Sequence, residues 1–245
     1  MNETLNTLTS HRSIRSYTSQ PVSDADLAAI ARAAQAAPSS INGQQVTIIC
    51  VQNHATKKHI AELCGDQPWI DQAPAFLLFC ADFHRAHLAA EMNQRPLAIT
   101  DSIEALIVGA CDVGIALANA AAAAESLGLG IVPIGAARNQ PEALIDLLAI
   151  PRHVFPICGL VVGHPANHSA LKPRLPQAAV FHHEKYQPDL QPLIAEYDPQ
   201  LAAHMTAATG GRLTKTWSQT VAEFYDHIYF PNLRAALEKQ GFGCQ

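Results

Sequence analysis

Basic and hydroxyl side chains cluster near the start of the chain, in the run His11-Arg12-Ser13-Ile14-Arg15. If this run is helical or turn-like, Arg12 and Arg15 lie three residues apart and face the same way. Two guanidinium groups and the Ser13 hydroxyl could then hold a phosphate dianion, which accepts several charge-assisted hydrogen bonds. A solvated basic turn is the alternative, and for so short a motif taken alone it is the more common outcome.

A second basic pair stands at Lys172 and Arg174, on either side of Pro173. Proline keeps the backbone extended, so the two side chains are expected to project to the same side. A surface pair is again the plainer interpretation. Because the chain has only 16 Lys and Arg residues in 245, two clusters in otherwise neutral surroundings favour a binding role for both.

Two further segments suit a flat, polar ligand. Residues 38–45 (PSSINGQQ) form a loop of small polar side chains, which could contact the edge of a polar ring or be a plain helix-to-strand turn. The run Pro133-Ile134-Gly135 is typical of a strand end where the backbone closely approaches a flat ligand. The preceding Gly128-Leu129-Gly130 does not begin a dinucleotide fingerprint, because Pro133 occupies the position of the third glycine.

Several reaction types are excluded by missing motifs. No Walker A sequence and no G-x-S-x-G nucleophile elbow occur. Among the 12 histidines, His164 and His168 have a common ligand spacing, but they lie in a proline-containing stretch rather than on a helix. We therefore expect no metal site.

Composition narrows the class of protein. Acidic residues outnumber basic ones, 21 to 16, which argues against nucleic-acid binding, and 49% hydrophobic residues exclude intrinsic disorder. Residues 1–10 show no export signal and the six cysteines form no C-x-x-C pair, so we expect reduced thiols and a cytoplasmic protein. The apolar stretch 103–129 includes Glu104 and Asp112, which favours a buried core helix over a membrane span.

The hydrophobic pattern predicts alternating helices and buried strands up to about residue 164. The predicted strands cover residues 46–51, 76–81, 131–134 and 157–162, and the predicted helices cover residues 23–37, 56–64, 102–127 and 141–149. Asp101 is expected to cap the long helix. Because the strands are apolar throughout, helices should cover both faces of the sheet. An extended arm is predicted from about residue 165, and a helical tail from about Leu193 with breaks at Asp198-Pro199 and Gly210-Gly211.

The motifs gain specificity from their order along the chain. H-R-S-I-R, P-S-S-x-N, A-E-S-L-G-L-G before P-I-G, and L-K-P-R-L-P occur in succession. In this arrangement the chain resembles the bacterial oxygen-insensitive nitroreductases, in the branch of the NADPH-dependent nitroreductases and NADPH–flavin oxidoreductases. The resemblance covers nearly all of residues 1–245, which we expect to form a single FMN-binding domain. Pro38 and Asn42 depart from the serine-rich loop of this branch and resemble the smaller nitroreductases.

The resemblance implies an α+β fold, a three-layer sandwich in which helices flank a mixed sheet and a long central helix lies at a homodimer interface. FMN would bind where the two subunits meet. The residues implied to bind it are His11, Arg12, Ser13, Arg15, Lys172 and Arg174 around the phosphate and nearby atoms, Ser39, Ser40 and Asn42 from the partner subunit, and Gln67, Ile134, Gly135 and Ala136 at the ring.

The resemblance further implies ping-pong two-electron transfer, in which NADPH or NADH reduces FMN and a small planar acceptor such as a nitroaromatic, quinone or flavin then takes the electrons. In NADPH-selective relatives two arginines of a tail loop bind the 2′-phosphate. Their positions fall on Ala208 and Leu213 here, which leaves Arg212, near Lys215, as the implied nucleotide contact and predicts weak selectivity. A flavin-binding protein without turnover, such as a sensor, is the alternative.

Overall fold

The computed structural model describes residues 2–243. The helices are α1 (Glu3–Thr9), α2 (Asp24–Gln35), α3 (His54–Leu63), α4 (Pro68–Gln72), α5 (His84–Met92), α6 (Glu104–Ser126), α7 (Pro141–Leu147), α8 (Gln191–Thr209), α9 (Trp217–Tyr225) and α10 (Leu233–Lys239). The strands are β1 (Val46–Val51), β2 (Ala75–Asp82), β3 (Gly130–Ile134) and β4 (Val154–Gly163). Two units are present: residues up to His168 with those from Phe230 onward, and residues 169–229. The expectation of a single domain stays a prediction.

The first unit is built on a four-stranded sheet with the strand order β1-β2-β4-β3. All three strand pairs are antiparallel. The four named strands therefore do not form the mixed sheet that was expected. A parallel pairing occurs only as an isolated bridge within the described residues, between Ser13 and Ile131, and it attaches the N-terminal segment to the sheet.

Side chains of the central strand β2 alternate between two hydrophobic cores, as the period of two in a strand requires. Phe76, Leu78 and Cys80 belong to one core, which also contains residues of α3, α7 and α10. Leu77 and Phe79 belong to the other core, together with residues of α2 and α6. Helices therefore cover both faces of the sheet, and the expected α+β three-layer sandwich is confirmed.

The long helix α6 lies against the sheet through small residues. A Cβ atom added at Gly109 would come within 2.7 Å of the Ala81 Cβ atom, so the close approach of helix and strand requires glycine there. The helix begins at Glu104 after Ile103, and no side chain caps it, so the predicted cap at Asp101 is wrong. Asp101 instead ends a short 3₁₀ helix. Within residues 2–243, α6 alone is long and apolar enough to cross a membrane.

Residues 169–229 contain the predicted arm and most of the helical tail. The arm has one short 3₁₀ helix, Gln177–Ala179, and α8 follows it. The predicted break at Asp198-Pro199 is wrong, because α8 continues through Pro199. The predicted break at Gly210 is confirmed: this residue ends α8 with a φ of 58°, a conformation that glycine adopts without a side-chain clash.

Other elements differ from the sequence-based expectation. The helices α1, α4 and α5 were not predicted. Strand β1 pairs only with β2 among the named strands, so it lies at the edge of the sheet. Apart from Val51 its residues are partly exposed, and Cys50 is exposed, so the expectation of a fully buried strand is wrong.

Candidate functional site

The N-terminal basic run is extended rather than helical or turn-like. Ser13 bridges to Ile131, and the Ile14 N–H donates to the Ile131 carbonyl at 2.9 Å. Neighbouring side chains of an extended backbone alternate between sides, so residues three apart point in opposite directions. The condition under which Arg12 and Arg15 would face the same way is therefore not met, and the two guanidinium groups have different surroundings.

Arg12 lines a cavity of about 360 Å³ next to Glu125. Its Nε atom is buried and has no hydrogen-bond partner within residues 2–243. The same glutamate lies 2.7 Å from the Nδ1 atom of His11. An unpaired buried N–H is unfavourable, so this guanidinium is suited to an acceptor supplied from outside the described chain.

Arg15 is exposed and lies above an aromatic ring. Its guanidinium carbon is 5.5 Å from the centroid of the Trp69 ring, within the range of a cation–π contact. The Nε1 atom of Trp69 is buried and lacks a hydrogen-bond partner within the described residues. Trp69 belongs to none of the sequence motifs, although it is one of only two tryptophans in the chain and follows Gln67 by two residues.

Gln67 and Trp69 lie at the start of the short helix α4, which a buried lysine holds in place. The Lys57 ammonium donates to the carbonyl oxygens of Asp71 and Ala73 at the end of that helix. Burial lowers the pKa of Lys57, and the nearby Asp71 charge opposes that shift. The Gln67 side chain donates through Nε2 to the Cys64 carbonyl at 2.8 Å, which leaves its oxygen to accept from a ligand.

The predicted flat-ligand turn follows β3. Ile134 is buried at the end of the strand, and Gly135 begins the short 3₁₀ helix Gly135–Arg138, which also includes Ala136. Arg138 donates to the Ile157 carbonyl of the neighbouring strand β4, so the turn is attached to the sheet. This placement at a strand end agrees with the sequence-based interpretation.

The loop at the end of α2 is held by one acidic side chain of α6 and by a contact within the loop. The Ser40 N–H donates to the Asp112 carboxylate on α6, at 3.2 and 3.3 Å from its two oxygens. Ser39 accepts through its hydroxyl from the Gln44 N–H at 3.1 Å. A buried acid of the long helix α6 therefore fixes the backbone of this loop.

Lys172 and Arg174 lie in the second unit, both exposed on either side of the half-buried Pro173. The Arg174 guanidinium donates to the Lys172 carbonyl at 3.2 Å. The buried Tyr197 on α8 donates through its hydroxyl to the Pro173 carbonyl at 2.8 Å. Burial raises the pKa of Tyr197, which keeps this donor protonated.

Arg212 lies in the short loop between α8 and α9. Its Nε donates to the Thr209 carbonyl at 3.1 Å, and its side chain is exposed. Lys215 forms a salt bridge with Glu223 at 2.5 Å. Arg212 thus keeps donors for a ligand, whereas the nearby lysine already has an acidic partner.

Two further observations concern the histidine, acidic and cysteine side chains. The part of the chain that the structure describes holds no group of three or more His, Cys, Asp or Glu residues placed to bind a metal. Burial raises the pKa of Cys64 and of Cys80 to about 12, so both thiols stay neutral at physiological pH.

Models of one protein family match most of the chain. The Nitroreductase family matches residues 8–164, and the C-terminal domain of the same family matches residues 172–245. The chain is 57% identical over 245 residues to FMN reductase [NAD(P)H] of Bacillus subtilis, covering 99% of this chain and 98% of that protein. It is 39% identical to the oxygen-insensitive NADPH nitroreductase of Salmonella typhimurium, with both chains covered in full.

Solved structures show the same relationship. The structure of NfrA2 from B. megaterium superposes with a TM-score of 0.98 at 57% identity and covers 100% of both chains. The NADPH:FMN oxidoreductase of Vibrio harveyi, solved with NAD⁺, superposes with a TM-score of 0.88 at 34% identity, again over 100% of both chains. Matches of this extent, joined to the ordered motifs and the three-layer fold, establish that the chain belongs to the nitroreductase family.

Proposed function

We propose that this chain is an FMN-dependent oxidoreductase that takes two electrons from NADPH or NADH and passes them to nitroaromatics, quinones or flavins. The observation that carries the proposal is the full-length identity of 57% to an FMN reductase [NAD(P)H]. The relatives named as NADPH nitroreductase and NADPH-flavin oxidoreductase support the same reaction class.

The described residues suit FMN in the chemistry of their donors. Two buried N–H groups, Arg12 Nε and Trp69 Nε1, have no partner within residues 2–243 and would be satisfied by acceptors of a ligand. FMN offers such acceptors in its phosphate, ribityl hydroxyls and ring carbonyls. Gln67 keeps a free acceptor oxygen on the same short segment, which matches the N–H donor of a flavin ring.

In the proposed site, His11, Ser13 and Arg15 hold the phosphate and the atoms next to it. The family resemblance alone assigns Lys172 and Arg174 to phosphate binding as well. Arg12 contributes the Nε that faces the cavity beside Glu125. Ser39, Ser40 and Asn42 reach the cofactor from the partner subunit. Backbone donors of Ile134, Gly135 and Ala136 and the side chain of Gln67 contact the ring.

FMN, when bound, supplies the two-electron chemistry of the reaction. The chain's own residues bind and orient it, and the cationic and N–H donors favour added negative charge on its pyrimidine side. No side chain is assigned as general acid, since water or the acceptor can supply protons. Arg212 is the proposed contact for the reducing nucleotide.

A homodimer is part of this proposal because one side of α6 is left uncovered in the subunit. Its exposed residues include Ile107, Ala110, Cys111, Gly114 and Ala118, which lie at spacings of three and four and carry no charge. An exposed apolar stripe of this kind is typical of a protein–protein interface. We further propose a cytoplasmic location, in keeping with the free thiols of Cys50, Cys64, Cys80, Cys111 and Cys158.

Turnover separates an oxidoreductase from a flavin-binding sensor. The purified protein is expected to be yellow, to lose its visible absorbance with NADPH or NADH, and to regain it when nitrofurazone or a quinone is added. A protein that binds FMN but is not bleached by either nucleotide would be the sensor. A protein that binds no FMN would exclude both functions.

A further inference from the structure

The loop between α2 and β1 has a strained backbone. Three of its residues other than glycine have a positive φ: Ile41 at 49°, Asn42 at 54° and Gln44 at 51°. A β-branched residue in this region is a genuine outlier, because its side chain crowds the backbone. Ile41 is also 96% exposed, so burial of its side chain within the subunit does not offset the strain.

One side of the loop is held by a buried acid. Asp112 lies in the middle of the apolar helix α6 and is only 4% exposed. Both oxygens of its carboxylate lie within hydrogen-bond distance of the Ser40 N–H, which comes directly before the strained Ile41. A buried carboxylate is costly where an apolar residue would pack, so its presence points to a task other than core stability.

The other side of the loop is held by Arg85 on α5. Its guanidinium donates to the backbone carbonyls of Gln44 and Val46 at 2.7 and 2.8 Å. It also donates to the Thr47 hydroxyl at 2.9 Å and to the Asp82 carboxylate at 2.8 Å. The planar fork of arginine makes all four bonds at once, which a single ammonium group does not reproduce.

Both charged residues line the same cavity of about 490 Å³, which lies under the loop between α2, β1 and α6. Within the loop, the Ser39 hydroxyl accepts from the Gln44 N–H. The loop is thus fixed by side chains at its start and its end. The strained Ile41 and Asn42 lie between Ser40 and Gln44, and the strained Gln44 is itself held by Arg85. Strained residues persist where the surrounding structure determines the backbone, and they concentrate at functional sites.

We infer that Asp112 and Arg85 are positioning residues, which hold the loop in the strained conformation that presents Ser39, Ser40 and Asn42 to the flavin of the partner subunit. This inference rests on the proposed function. Neither residue is assigned a contact with FMN itself. Each acts through the loop backbone, Asp112 at the Ser40 amide and Arg85 at the Gln44 and Val46 carbonyls.

Two substitutions distinguish a role in positioning the loop from a role in stabilising the fold. Asp112→Leu replaces a buried carboxylate, which is costly to desolvate, by an apolar side chain of similar size. The Ser40 amide loses its acceptor, but Ser40 is exposed and its N–H can bond to water instead, so the melting temperature should change little. Arg85→Lys keeps a positive charge beside Asp82 but loses the fork that reaches both carbonyls. Asp146→Leu and Arg95→Lys, at exposed positions away from the loop, are the matched controls.

Three properties of the full-length protein are measured for each variant: amide hydrogen exchange in residues 39–46, the FMN dissociation constant, and the melting temperature. We expect faster exchange in the loop and an FMN dissociation constant raised by about tenfold in Asp112→Leu and Arg85→Lys, the effect of one lost hydrogen bond to a charged group. The melting temperature should change little, and the controls should match the wild type.

Two results would overturn the inference. One is unchanged exchange in the loop, which would mean that Asp112 and Arg85 do not hold it. The other is faster exchange with unchanged FMN affinity, which would mean that the loop conformation does not serve the cofactor. Failure of the proposed function looks different, because the wild-type protein itself would then bind no FMN.

Discussion

The guanidinium carbon of Arg15 lies 5.5 Å from the centre of the Trp69 ring, so the N-terminal segment and helix α4 meet at this pair. The contact places a cation next to the segment that carries Gln67. It also separates Arg15 from Arg12, whose unpartnered Nε belongs to the cavity beside Glu125. The two arginines of the H-R-S-I-R motif therefore have different surroundings.

Loss of Arg15 and Arg174 together should release the cofactor. Each provides charged donors to the proposed phosphate site, and a hydrogen bond to a charged group contributes about 1.5–3 kcal/mol. We expect the double variant Arg15→Ala/Arg174→Ala to bind FMN more weakly by several kcal/mol, measured by FMN retention on dialysis and by titration. Arg95→Ala, at an exposed position, is the control. Stoichiometric FMN in the dialysed double variant would contradict the assignment.

The exposed stripe of α6 should be covered in a homodimer. A Cβ atom at Gly114 meets nothing within 4 Å in the subunit, so Gly114→Glu should fold but place a charge in the interface. We expect this variant to sediment as a monomer and to lose FMN. We also expect Cys111, which is exposed in the subunit, to react with maleimide much faster in the variant than in the wild type.

Ser126→Glu, at the end of the same helix, controls for the added charge. An FMN-loaded wild-type monomer at low micromolar concentration would refute the homodimer, whatever the variants do. Equal labelling of Cys111 in the wild type and in Gly114→Glu would place the interface elsewhere.

Nucleotide selectivity should be weak. By the family resemblance, the two arginine positions of NADPH-selective relatives would fall on Ala208 and Leu213 here, and Lys215 is already paired with Glu223. Only Arg212 then remains to meet a 2′-phosphate, so kcat/KM for NADH should lie within about tenfold of that for NADPH. Arg212→Ala should lower kcat/KM for NADPH and leave kcat/KM for NADH nearly unchanged. Steady-state kinetics that show an NADPH preference above about a hundredfold, insensitive to Arg212→Ala, would contradict this account.

The charged carboxylate of Asp198 should stabilise the folded second unit, and this stabilisation should be lost at acidic pH. Hydrogen bonds from the Ser218 side chain and backbone lower the pKa of Asp198 below its usual 3.8. A carboxyl group whose pKa is lowered in the folded state adds stability above its unfolded pKa and loses it as the pH falls through the folded value. The melting-temperature difference between wild type and Asp198→Ala should therefore be present at pH 7 and shrink below about pH 4. A difference that is constant from pH 7 to pH 3 would mean that the charge of Asp198 does not contribute.

Sequence patterns located most of the core but not the local geometry of the site. Strand β2 was predictable because FLLFCA is apolar without interruption. Helix α2 was predictable because Ser23 followed three residues later by Asp26 is typical of a helix start, and in the structure Ser23 accepts from the Asp26 N–H as its cap. The helix α5 (HRAHLAAEM) was missed because it buries no residue and so has no apolar stripe. Pro199 predicted a break that α8 does not have, since neighbouring residues of that helix outweigh the one bond that proline removes.

For the candidate site too, the sequence indicated the segments but not the contacts that hold them. Motif order identified the segments that should bind a flavin, since each is contiguous in sequence. The contacts that hold those segments are long-range: Asp112 lies 72 residues from Ser40, and Arg85 lies 41 residues from Gln44. No spacing rule connects such residues. Asp112 was noticed only as a charge that argues against a membrane span, whereas the structure shows it fixing a loop.

The account is tested most directly by anaerobic titration of the purified protein with NADPH and, separately, with NADH, followed at the visible flavin absorbance. We predict bound FMN at one per subunit, full bleaching at one equivalent of either nucleotide, and complete recovery of the absorbance on adding one equivalent of a quinone. Bound FMN that neither nucleotide bleaches, or a colourless protein that takes up no added FMN, would contradict the assignment of this chain as an FMN-dependent NAD(P)H oxidoreductase.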